Sequence, residues 1–171
     1  MQPPKAFLYF LLFTTIIATS CGVYSFKDVS IDYSKIKTIK IGFIENKARY
    51  VNPQLSTKLT EKVQQKVSSQ TKLIRTNNDD AHLQISGYIS DYNPSQTVGI
   101  ANQQAATNRL TITVHITLKN IVENKTQEFD ITRNADFDAT KSLQDVETKL
   151  LDVELIPSIT DEIFNKIFSN W

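Results

Sequence analysis

The chain has 171 residues, 40% of them hydrophobic and 22% charged, which sets it apart from disordered tails and from polytopic membrane proteins. That length suits one domain with appendages rather than two domains. Net charge is +1, and Lys5 is the only charge among the first twenty residues, so the rest of the chain balances and lacks the basic excess of a nucleic-acid binder. A single cysteine excludes an intrachain disulfide, and with only two histidines beside it the usual cysteine and histidine zinc site has too few ligands. No cofactor is expected.

Taken in chain order, Lys5 is followed by AFLYFLLFTTIIA, residues 6–18, a charge-free run. It is too short for a spanning helix, which needs about 20 residues, and fits the apolar region of a secretory signal. Ala18, Thr19 and Ser20 then lead into Cys21 and Gly22, which resembles the lipobox cut by bacterial lipoprotein signal peptidase. The resemblance implies that 1–20 is a signal peptide and that Cys21 becomes the acylated first residue. Each buried methylene contributes about 0.8 kcal/mol, so two or three chains anchor stably where one does not. Residues 21–35 form the lipidated N-terminus and a lead segment, and 36–171 the folded domain.

IKTIKIGFI, residues 36–44, alternates as a strand and places Ile39, Ile41 and Phe43 on one face. Asn52 before Pro53 is a helix start, and Leu55, Leu59, Val63 and Val67 at spacing four predict an amphipathic helix over 53–69. KLIRT, 72–76, reads as a short strand, NNDD as a turn, and HLQISGYISDY as another strand. PSQTVGIANQQAATN, residues 94–108, reads as a long loop without charge. RLTITVHITLKNI then alternates most clearly, with Leu110, Ile112, Val114, Ile116 and Leu118 on the core side. NKT turns the chain into QEFDITRNADF, another strand. Ser142 and Asp145 open a helical pattern that runs to the C-terminus, and Pro157 should kink or split it. In IFNKIFSNW the apolar residues, Trp171 included, recur at helical spacing, so the ending is a packing helix and not a barrel strand. The sum is an α+β two-layer sandwich: a largely antiparallel or mixed sheet of four to five strands, with two helices on one face.

No Gly-rich phosphate loop, G-x-S-x-G or H-E-x-x-H occurs. His82 and His115 fall on polar strand faces and read as surface residues. Asp136 and Asp138 flank Phe137 as paired carboxylates do, yet turn and capping chemistry is the commoner reason for such a pair. Lys58, Lys62 and Lys66 make a basic stripe on the first helix, either a polyanion site or a solvated face. The uncharged segment is the stronger binding candidate, because Gln96, Thr97, Val98, Gly99, Ile100, Ala101, Asn102, Gln103 and Gln104 can be desolvated against a protein without stranding an ion.

The order and spacing of SCGVYSF, IKTIKIGFIENKARYVNPQLS, LQISGYISDY, NRLTITVHITLKN, ADFDATKSL and IFNKIFSNW resemble the LPS-assembly lipoprotein (LptE) family. The resemblance implies a non-catalytic lipoprotein on the periplasmic side of the outer membrane, held there by its acyl chains. Such a protein plugs the LptD β-barrel, assists its folding and aids lipopolysaccharide delivery. Basic residues near one end of the sheet would meet lipid A phosphates, with Arg109, Lys119 and Arg133 suggested by position alone. Gly22 after the cysteine, in place of an acidic inner-membrane retention signal, leaves the outer membrane open. An assembly or pilot lipoprotein for a different envelope machine is the alternative, and an enzyme using His115 or the Asp136 and Asp138 pair is third.

Overall fold

The computed structural model describes residues 31–97 and 107–169. The elements are β1 (Thr38–Ile41), β2 (Glu45–Asn46), α1 (Leu55–Gln70), β3 (Ile74–Arg75), β4 (Leu83–Thr97), β5 (Thr107–Asn120) and β6 (Lys125–Asp138). A C-terminal helix follows in three parts, α2 (Leu143–Lys149), a π-helical stretch (Leu150–Leu155) and α3 (Ile156–Phe168). The sheet order is β3-β1-β4-β5-β6, with β2 also on β4. β1 runs parallel to β3 and β4, β2 runs parallel to β4, and β4, β5 and β6 form an antiparallel meander. This is the α+β sandwich the patterning predicts, with six strands where four or five are expected.

The extra strand arises where the alternation of 36–44 breaks. After Gly42 bonds the Ile85 carbonyl at 2.8 Å, Phe43 turns outward and is 57% exposed, while Ile44 takes the buried place. The Ile44 amide donates to Thr60 Oγ1 at 3.0 Å, which pins the kink to α1. A one-residue offset reverses the faces of an extended chain. The placement of Phe43 with Ile39 and Ile41 is therefore corrected.

α1 begins at Leu55, two residues later than expected, after a turn in which Asn52 Oδ1 accepts from the Gln54 and Leu55 amides at 2.9 and 3.1 Å. Leu55, Leu59, Val63 and Val67 are all buried. At the C-terminal helix Ser142 Oγ donates to the Asp145 carboxylate at 2.7 Å and neither side chain caps a backbone amide, so the expected capping motif is not formed. Proline inside a helix lacks a donor and crowds the carbonyl four residues back. The chain answers with the π-helical stretch, where the Ile156 amide bonds Leu151 O one residue further back than in an α-helix, and Pro157 falls in the first turn of α3. Ile159, Ile163, Phe164 and Phe168 then pack on the sheet and α1, and the two rings meet at 4.8 Å. Trp171 lies outside the described residues.

The opposing layer is the inner face of the meander. Leu110, Ile112, Val114 and Ile116 are fully buried on β5, with Ile131, Ala135 and Phe137 beside them on β6. Burying each large aliphatic contributes about 1.5–3 kcal/mol. Ile31 and Tyr33 also pack partly against this core. His82 is a tether more than a surface residue: its Nδ1 accepts from the Thr38 amide at 3.2 Å and contacts Thr38 Oγ1 at 2.8 Å, and its own amide donates back to that hydroxyl.

Candidate functional site

β4 and β5 pair without interruption from Leu83 opposite Asn120 to Thr97 opposite Thr107, apart from a bulge between Ile89 and Asp91. Fourteen residues of β5 span roughly 45 Å at the usual strand rise. β1 and β2 accompany β4 only as far as Ile89, so beyond that point β4 is an edge among the described residues. An edge tolerates proline, which has no ladder donor, and this is why Pro94 sits opposite Leu110 within the strand. The loop expected over 94–108 is correspondingly shorter. Gln96 and Thr97 are paired strand residues, while Val98, Gly99, Ile100, Ala101, Asn102, Gln103 and Gln104 lie outside the described residues, as does Cys21.

The base of this hairpin is held firmly. Tyr92 is 3% exposed, donates its hydroxyl to the Glu147 carboxylate, and stacks on Tyr50 with ring centroids 5.0 Å apart. Burial and the Glu147 charge push the Tyr92 phenol above the ordinary tyrosine range. Tyr50 and its neighbour Val51 are themselves exposed, giving the hairpin end two apolar side chains that no sequence motif announces.

The three basic positions do not converge. Arg109 and Lys119 share the face that the helices leave uncovered but are ten positions apart on β5, roughly 33 Å. Arg109 grips Asp136 through two bonds, Nε to Oδ1 at 2.6 Å and Nη2 to Oδ2 at 2.8 Å, and holds that carboxyl below the usual carboxylate range. Arg133 is on the covered side, opposite Ile112, where it bonds Ser158 Oγ at 3.0 Å and pairs with Glu162 of α3. Lys119 has no ion-pair partner among the described residues.

The other candidates are similarly engaged. His115 Nδ1 lies 2.8 Å from Asp130 across the strands, with Tyr88 at 5.0 Å on its other side. Asp138 accepts from the Thr140 amide and hydroxyl, so Asp136 and Asp138 serve separate partners. Lys58 and Lys66 reach across to Asp152 and Asp161, each at 2.9 Å, and clamp α1 to the C-terminal helix. Sequence spacing shows the lysines but not acids 94 residues away. Among the described residues no group of His, Cys, Asp or Glu side chains is placed to hold a metal.

Among the described residues the helices cover one sheet face and leave the other open, and the hairpin extends past its neighbouring strands. The family model LptE, lipopolysaccharide-assembly, matches residues 36–167, and the chain belongs to that family. No curated protein matches it. Solved structures share the fold at low identity. Protein XCC0632 from Xanthomonas campestris is 9% identical with a TM-score of 0.51, over 78% of this chain and 84% of that one. The rare lipoprotein B from Shewanella oneidensis is 17% identical at 0.50, over 75% and 92%. The hypothetical protein CT253 from Chlamydia trachomatis is 11% identical at 0.50, over 77% and 98%.

Proposed function

We propose that this lipopolysaccharide-assembly protein is anchored by acyl chains on Cys21 to the periplasmic side of the outer membrane, after removal of residues 1–20. Its hairpin end enters the lumen of an LptD-type barrel, assists the folding of that barrel and aids delivery of lipopolysaccharide, without catalysis or a cofactor. The observation that carries this reading is the hairpin itself. Among the described residues it continues past Ile89 without a third strand beside it, its segment from Asn93 to Asn108 has no charge, and its base is fixed through Tyr92. A lumen wall can desolvate such a segment at little cost. Among the basic positions Lys119 is the one carried forward as a contact for lipid A phosphate, since Arg109 and Arg133 already hold carboxylates.

The test is copurification of the barrel with a variant lacking residues 98–106. Loss of the complex is expected, and an unchanged yield would sink the hairpin as the plug contact. Recovery of a secretin ring or another machine in place of the barrel would favour a pilot role. Mass analysis of the N-terminal peptide reads the lipid on Cys21 directly. Depletion in the native host should lower surface lipopolysaccharide.

A further inference from the structure

The end of the sandwich opposite the hairpin carries a second surface. Turns between strands ordinarily take glycine, asparagine, aspartate or serine. The β5–β6 turn instead exposes two adjacent aliphatics, Ile121 at 40% and Val122 at 43%. They are held there rigidly. The Ile121 amide bonds His82 O at 2.9 Å, the Glu123 amide bonds Asn120 Oδ1 at 3.1 Å, and Asn124 closes the turn in the left-handed region at φ 52°.

Three lysines and two acids, Asp32 and Glu123, lie at or near the tip. Lys35 and Lys125 line a cleft of about 390 Å³ together with Ile31, Leu118, Val122 and Ile167, and Lys119 stands two positions before Ile121. Lys35 contacts Asp32 at 3.5 Å and Lys125 contacts Glu123 at 3.2 Å. Both are exposed, single-contact pairs of the kind that yields readily to other anions. Cys21 is ten residues before Ile31, a reach of about 35 Å for extended chain. The far end of β5 is roughly 45 Å away from the tip.

We infer that the β5–β6 turn is a membrane-docking tip, in which Ile121 and Val122 enter the headgroup boundary of the bilayer and Lys35, Lys119 and Lys125 contact anionic phospholipid headgroups. A shallow apolar insertion flanked by lysines is the arrangement by which peripheral proteins hold an interface. Until the anchored protein meets its barrel, this contact keeps the turn and not the hairpin on the lipid surface; entry of the hairpin into the lumen then requires the tip to leave the headgroups and the sandwich to reorient. The inference rests on the lipid-anchor reading of Cys21.

The experiment supplies that anchor chemically. Chain 21–171 is coupled through Cys21 to a maleimide lipid in phosphatidylcholine vesicles, with and without phosphatidylglycerol and without lipopolysaccharide. Val122→Trp and, separately, Ser95→Trp are made in a Trp171→Phe background, and quenching by brominated acyl chains is read. Quenching several-fold stronger for Val122→Trp than for Ser95→Trp is expected, falling when phosphatidylglycerol is omitted or Lys35, Lys119 and Lys125 become glutamine. Equal quenching, none, or stronger quenching at Ser95→Trp overturns the tip. Quenching indifferent to phosphatidylglycerol and to the lysines overturns the headgroup contact. None of these outcomes depends on whether the cell lipidates Cys21, which the mass of the N-terminal peptide decides separately.

Discussion

Tyr92 of β4 donates its hydroxyl to Glu147 of α2, 55 residues further on, and this bond joins the hairpin base to the C-terminal helix. Tyr92→Phe keeps the buried ring and the stack on Tyr50 but removes the donor, at a cost of about 1 kcal/mol in urea unfolding. The phenol is raised above its unfolded value of 10.0, because burial and the Glu147 carboxylate both disfavour the phenolate. Its contribution is therefore fully present below pH 10 and is lost as pH rises beyond that value. Wild type should lose more stability on alkaline titration than Tyr92→Phe does. Parallel alkaline curves for the two proteins would count against the bond.

Gly87 lies where β4 passes closest to β5. A Cβ there would collide with the His115 carbonyl and come within 2.8 Å of the Ile116 side chain. Backbone cannot yield as a flexible side chain does, so Gly87→Ala should cost about 1–3 kcal/mol. Gly42 is the matched comparison, since a Cβ there comes no nearer than 3.3 Å to the Ile85 carbonyl and 3.9 Å to Ser86. Thermal melts of the two alanine variants should rank Gly87→Ala well below Gly42→Ala.

Lys66 pairs with Asp161, sits 5.3 Å above the Phe164 ring and is 20% exposed. Lys62, on the same stripe, is exposed and has no ion-pair partner among the described residues. If the stripe is a clamp, Lys66→Ala should cost about 1 kcal/mol through lost pairing, ring contact and stem packing, while Lys62→Ala stays within about 0.5 kcal/mol of wild type. Equal effects from the two substitutions in chemical denaturation would return the stripe to a solvated face.

What the sequence disclosed and what it hid follow one physical line. Elements whose faces differ by burial alone were legible: Leu110 to Leu118 alternate because one side of β5 is core, and Leu55 to Val67 repeat because one side of α1 is. Phe43 escaped because a kink pinned by Thr60, sixteen residues away, decides its face. The strand through Pro94 escaped because edge position, a property of the whole sheet, licenses it. Lysines and arginines that looked like binding residues are mostly committed to acids remote in sequence, as Arg133 is to Glu162. The acyl anchor at Cys21 and the uncharged tip remain readings from local sequence.

Asp136 offers the most direct check on one such commitment. Arg109 holds its carboxylate through two hydrogen bonds, and their effect outweighs the little desolvation that would raise the pKa. A carboxyl depressed in the folded state contributes stability above the unfolded value of 3.8, and that contribution is lost as pH falls through the lower folded value. Carboxyl-detected NMR should place the Asp136 titration below 3.8 in wild type and return it toward 3.8 in Arg109→Gln. The same substitution releases Asp136 as an uncompensated negative charge on the open face, which should weaken any lipid A phosphate contact nearby. Asp136→Asn does the opposite and leaves Arg109 uncommitted. Lipopolysaccharide binding that rises in Asp136→Asn and falls in Arg109→Gln would mark Arg109 as a latent phosphate ligand held in check by its acid. Binding indifferent to both changes, with loss confined to Lys119→Gln, would leave Lys119 as the phosphate contact and the Arg109–Asp136 pair as a cross-strand tie.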